Sequence, residues 1–257
     1  MTRFPHEFRP VKESRFFDWV EQGCYGSLNS VNRYLPQVFE SYVHICHPAW
    51  QCPDNVKQSS YTMATDRDKA RQLIPTRWAA AAKERYSEFD GKASWGEFAK
   101  ILDNNNLSPG DIGAPVEGVP PVEVVNVVEK AISIATKPDQ DCIFAFWEGF
   151  YIMHSEMVHL NKARIVGMSQ DGHLLFQAPR SILFDSWRSV LNLDVIESWN
   201  PVWTPQAIWC PKQQWFFAIP FFKLSSFFGG TKEMAKVLLK SKEIEAYQIP
   251  EGHVFKN

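Results

Sequence analysis

No uninterrupted apolar run of membrane-spanning length occurs in this 257-residue sequence; a transmembrane helix needs about 20 such residues. The oiliest stretch, Trp215 to Phe228, is broken by Pro220 and Lys223. No sign of charge is in excess: 27 Lys and Arg stand against 29 Asp and Glu, a net charge of −2. That balance carries no basic excess to mark a nucleic-acid binder and no charged run to mark a tail. Cysteine is scarce and odd in number: Cys24, Cys46, Cys52, Cys142 and Cys210. A chain of this length does not need disulfide staples. The opening "MTRFPHEFRPVKESRFFDW" is charged throughout and has no apolar core of a signal peptide. The expectation is a reducing cytoplasm with free thiols; a local Cys46–Cys52 pair would require export. No repeat or low-complexity tract is visible. What the chain has in abundance is aromatics, 10 Trp and 19 Phe among them. Such side chains dominate cores and interfaces alike, so their number does not choose between the two.

The local pattern predicts an α+β chain with an antiparallel or mixed β-sheet in its C-terminal half. A single domain spans 1–257, with a helix-rich N-terminal region over 1–102, a loop over 103–121 and a sheet-rich region over 122–257. "SRFFDWVEQ" reads as a short helix with Phe16, Phe17 and Val20 inward. In "QVFESYVHICHP", Tyr42, Val43 and Ile45 favour a strand stopped by Pro48. "PDNVKQSSYTMATDRDK" reads as a polar insertion. After Pro75, "TRWAAAAKERY" is rich in helix formers. The Gly, Pro and Asn residues of Asp103–Pro121 suit a long loop, and a loop of that length is either mobile or functional. In "VEVVNVVEKAISIATKP", Val122, Val125, Val128 or Glu129, and Ile132 fit a helical face, while the β-branched content leaves a strand open. "CIFAFW" is the clearest buried strand. "ARIVG" and "HLLFQAP" suggest a hairpin around "SQDG". "SILFDSWRSVLNL" has helical spacing at Ile182, Leu183, Trp187, Val190 and Leu191. "AIWCP" and "WFFAIPFF" read as two strands joined at Pro211–Gln214.

Gly229-Gly230-Thr231-Lys232 shares letters with a phosphate-binding loop but lacks the first glycine of that motif. The plainer expectation is that the glycines turn the backbone and Thr231 caps a helix, with Met234, Val237 and Leu238 inward. A helix start of this kind can also hold an anion, which makes Gly229, Gly230 and Thr231 a candidate anion site.

Four other constellations carry chemistry-capable groups. "HICHPAWQC" gathers His44, Cys46, His47 and Cys52, all zinc-capable. On a strand, however, His44 and Cys46 share one face while His47 points to the other. In "HSEMVH", His154 and His159 are five residues apart, which is wrong for the His-Glu-x-x-His helix. No metal or cofactor is therefore expected. Cys24, between Gly23 and Tyr25-Gly26, is the best-placed thiol for an exposed turn, although no Gly-x-Ser-x-Gly elbow or complete nucleophile set accompanies it. Trp199, Trp203, Trp209 and Trp215 run through a Pro-rich segment that suits either a groove for a partner or the cover of a sheet.

The order of segments resembles an uncharacterised, mostly actinobacterial, bacterial protein family. The resemblance is carried by "FESYVHICHPA", "RWAAAA", "CIFAFWEGF", "IWCPKQQWFFAI", and a Gly-Gly-Thr helix start followed by "LLKSKEIEAYQI". It spans Phe39 to Ile249. A looser similarity is to immunity proteins of the SUKH type. The resemblance implies no established activity. It also shows a departure: where relatives carry acidic residues before Gly-Gly, this chain has Phe222 and Leu224.

The resulting expectation is a soluble, cytoplasmic, non-catalytic protein that binds another protein, with an immunity or defence role. It is not expected to bind nucleic acid or to enter a membrane. The candidate binding residues are Trp199, Trp203, Trp209, Trp215, His44, His47 and Glu148. The alternative is a hydrolase-like enzyme with an aromatic-lined pocket, its polar groups drawn from His44, His47, Glu148 and Asp185. Neither the partner nor the oligomeric state is legible.

Overall fold

A computed structural model describes residues 8–11, 13–27, 29–51, 74–84, 88–103, 112–115, 118–147, 162–163, 172–182, 184–185, 204–221 and 223–255. The architecture is α+β. The strands of its main sheet are β1 (Arg9–Pro10), β2 (Ser41–Cys46), β6 (Asp141–Trp147), β7 (Lys162–Ala163), β8 (His173–Pro179), β9 (Ala207–Trp209), β10 (Phe216–Ala218), β11 (Ser225–Gly230) and β12 (Glu245–Ile249). They pair antiparallel throughout, in the order β1-β8-β6-β9-β10-β11-β2-β12, with β7 also paired to β8. Most come from the C-terminal half. β2 is the exception that matters, because it lies inside the sheet between β11 and β12.

"CIFAFW" does not alternate apolar with polar because both faces of the sheet are covered. On one side Cys142, Phe144, Phe146, Ile208, Trp215, Phe217 and Phe228 pack against the helices Val122–Ile132 and Lys232–Lys240. The valine-rich segment is thus a helix. Val124, Val125, Val127, Val128 and Ile132 are buried along it, and this packing outweighs the β-branched preference for a strand. On the other side Ile143, Ala145, Leu175, Trp209, Phe216 and Phe227 meet the N-terminal segment through Phe17, Val20, Tyr34 and Leu35. That segment holds the helix Asp18–Gly23 and two short 3-10 turns, Ser14–Phe16 and Val31–Arg33.

A smaller lobe joins the β12 side. Its three strands run in the order β4 (Ile74–Thr76), β3 (Ala49–Gln51), β5 (Ile112–Gly113). The helices Trp78–Glu84 and Trp95–Asp103 pack beside them. β5 lies within the stretch read from sequence as loop. Trp78 is the centre of this lobe, in ring contact with Phe89, Trp95 and Phe98 at 5.0–5.4 Å.

Two sequence expectations need correction here. Gly229 and Gly230 do not turn the chain; they end β11, opposite Tyr42 and Ser41 of β2. They are glycine for want of room. A Cβ on Gly229 would lie 2.3 Å from the Phe39 ring, and one on Gly230 would lie 2.7 Å from the Phe228 ring. Cys24 is not an exposed turn thiol but is buried, which pushes its pKa well up. "EIEAYQI" forms β12, an edge strand that periodicity did not reveal. The hairpin expected around "SQDG" is present as the β7–β8 pair, while its turn lies outside the described residues. So do Cys52, the polar insertion, Glu148, "HSEMVH", Trp187, Trp199 and Trp203.

Candidate functional site

The candidate residues of β2 are separated by the pleat. His44 and Cys46 face the N-terminal segment and the small lobe, with Cys46 Sγ 3.9 Å from His44 Nδ1. His47 lies beyond the strand on the opposite side, hydrogen-bonded through Nε2 to Ser226 Oγ at 2.7 Å. His44 Nδ1 lies 2.8 Å from the Gly91 carbonyl. Because a carbonyl only accepts, that nitrogen carries the proton. Burial pushes the His44 pKa down to about 4, against the raising effect of the Gly91 bond, and His253 lowers it further. His44 is therefore a neutral ring, stacked on Phe227 at 5.3 Å.

The other candidates are also placed. Trp209 and Trp215 are fully buried on opposite faces of the sheet. Trp209 Nε1 donates to Phe16 O and Trp215 Nε1 to Thr136 Oγ1, both at 2.8 Å. Corrected by this burial, they are core residues and present no surface to a partner. The helix start at Thr231 is already occupied by the protein's own oxygens. Thr231 Oγ1 accepts from Met234 N and a Glu40 carboxylate oxygen from Lys232 N, each at 3.3 Å. An external anion would have to displace that carboxylate. Asp185 is exposed. The structure thus does not bring His44 and His47 together.

Among the described residues no group of three or more His, Cys, Asp and Glu stands close enough to hold a metal ion, and no helix is long and apolar enough to cross a membrane. Cys46, Cys142 and Cys210 are free and buried like Cys24. Burial raises the Cys46 and Cys142 thiols well above the usual range.

Two concavities stand out among the described residues. The larger, about 510 Å³, is a groove between the helices Val122–Ile132 and Lys232–Lys240. Val127 and Val237 form its apolar floor, and Lys130, Lys236, Lys240 and Lys242 stand around it with Glu233 and Glu243. These four lysines are exposed, and none is ion-paired among the described residues. The helical period places them: Lys236 and Lys240 lie four apart on the face opposite Met234 and Leu238.

The smaller cavity, about 210 Å³, lies against β11 on the His44 side. His44, Ser225 and Phe227 form its floor; Trp95, Gly96 and Phe255 wall it; Lys223 stands at its rim. Ser94 opens the Trp95–Asp103 helix here, its Oγ accepting from Glu97 N at 3.3 Å. That Ser-x-x-Glu start was readable in the sequence as a capping box. Lys223 carried no signal beyond being a charge inside an oily run. Its Nζ sits 5.7 Å from the centre of the Tyr34 ring, and burial lowers its pKa. The loop bearing Lys223 is braced by Gly118, whose N–H donates to Lys223 O at 3.1 Å. Gly118 has φ +64°, and a Cβ there would come within 2.9 Å of Phe221 O, so the position calls for glycine. Gly118, within the stretch read from sequence as loop, thus positions a residue of the cleft.

No family model matches the chain, and no curated protein or solved structure matches it.

Proposed function

We propose that the protein is a non-catalytic binding protein whose protein partner presents an acidic segment to the groove between the Val122–Ile132 and Lys232–Lys240 helices. One observation carries this reading: four lysines without ion partners among the described residues surround an apolar floor, on a chain of net charge −2. A cluster of like charges costs self-repulsion, and an acidic partner relieves it while steering association. Glu233 and Glu243 at the same rim set register by repelling a misplaced acidic residue. Half-buried Val237 supplies the apolar contact that a charged rim alone does not. The resemblance to SUKH-type immunity proteins suggests the class of partner, a protein that this one restrains.

The test is charge reversal. Lys130, Lys236 and Lys240 are changed together to Glu, and wild type and variant are used as baits in lysate of the native host. The expected result is a stoichiometric partner that wild type retains, that rising salt releases, and that the variant loses at unchanged thermal stability. Retention of the same partner by the variant would overturn the reading.

A further inference from the structure

The smaller cleft has a donor set that the groove reading does not use. We propose that it binds a small organic carboxylate with a flat apolar body, its carboxylate held by Lys223 and Ser225 at the start of the Trp95–Asp103 helix. Ser225 is only 7% exposed, faces the cleft, and its hydroxyl has no hydrogen-bond partner among the described residues. That hydroxyl opens on the cleft, where a ligand carboxylate oxygen would accept from it. Lys223 is half-buried with no anionic partner among the described residues; the Tyr34 ring is what faces its ammonium. The nine-residue Trp95–Asp103 helix begins at the wall of the same cleft. Glu97 N is capped by Ser94 Oγ, which leaves the Trp95 and Gly96 amides without intrahelical acceptors and favouring negative charge. Nothing crowds those amides: a Cβ on Gly96 would meet only Ser94 Oγ, at 3.9 Å.

The rest of the cleft selects the body of the ligand. His44, Trp95, Phe227 and Phe255 are all flat rings, and His44 is neutral because of its burial. Flat apolar rings stack well with another flat group. A volume of about 210 Å³ admits a single-ring acid and excludes a peptide segment.

Benzoate is the probe, with acetate and inorganic phosphate as comparisons, titrated calorimetrically into the full chain. Saturable benzoate binding is expected, tighter than acetate. Lys223→Gln should weaken it about tenfold, the size of losing one charge-assisted bond. Ser225→Ala should weaken it by a smaller factor. The groove variant with Lys130, Lys236 and Lys240 changed to Glu should bind benzoate like wild type, so failure here and failure of the groove reading are distinguishable. Absence of saturable benzoate binding, or equal affinity in wild type, Lys223→Gln and Ser225→Ala, would overturn the proposal. Saturation by phosphate but not by benzoate would overturn the carboxylate assignment.

Discussion

Glu245 is the residue whose loss should be felt furthest from its own position. It opens β12, is 8% exposed, and faces the first turn of the seven-residue Trp78–Glu84 helix. Its carboxylate accepts from Trp78 N at 2.6 Å, Ala79 N at 2.8 Å and the Tyr247 hydroxyl at 2.7 Å. A helix of two turns does not persist alone in water, so the attachment of its N-terminus decides where the small lobe sits. Glu245→Ala would leave three donors without their acceptor, one of them the amide of fully buried Trp78. At about 1–3 kcal/mol for each buried unpaired group, and with Ala79 half-buried and able to recruit water, the expected cost is about 3–4 kcal/mol. Glu245→Gln keeps the shape but turns one oxygen into a donor facing another donor, for a cost of about 1–2 kcal/mol. Urea unfolding followed by tryptophan emission measures both, because Trp78 reports on the lobe. If the geometry is right, Tyr247→Phe in the Glu245→Ala background costs less than it does alone, since the shared bond is already gone. A Glu245→Ala cost below about 0.5 kcal/mol, or equal costs for Ala and Gln, would refute the argument.

Two further outcomes follow from the same physics. His44 has its folded pKa depressed to about 4 from the ordinary 6.5. The unfolded chain therefore binds the extra proton between those values, and its stabilisation is complete above about pH 6.5 and lost on acidification toward pH 4. Urea unfolding at about pH 7.5 and about pH 5 should differ by about 2 kcal/mol from this group, a difference that His44→Phe removes; an unchanged pH dependence in that variant would count against the buried neutral ring. Gly229→Ala should cost about 1–3 kcal/mol, because its Cβ meets the Phe39 ring at 2.3 Å. Phe39→Leu in the same chain should recover part of that loss in thermal unfolding.

The site was less legible than the fold because its members come from places where local pattern is silent. Lys223 looks like an interruption in an apolar run, and Ser225 like one polar letter in a strand. Only the register of β11 against β2, Ser225 opposite Cys46 and Phe227 opposite His44, puts Ser225 on the His44 face, and only the Gly118 bond to Lys223 O fixes the lysine beside it. The helix start at Ser94 was readable, but not the surface it would face. The tryptophans show the converse: a Pro-rich context suggested a surface, and the depth of the sheet core took Trp209 and Trp215 inside. An indole buries large area wherever the fold offers it, and its N–H needs a single acceptor, which Phe16 O and Thr136 Oγ1 provide.

From residues alone came the class, the apolar strand 142–147, a strand within 215–222, the Thr231 cap and the opposed faces of His44 and His47. Each of these depends on neighbours within a few positions, where pleat, helical period and capping act. Tertiary structure alone decided that the valine-rich segment is a helix, that Gly229 and Gly230 serve a crowded strand, and that β2 crosses between β11 and β12. Those outcomes hang on which distant surface covers a given face, and burial free energy between remote segments outweighs the small local preferences that a sequence displays.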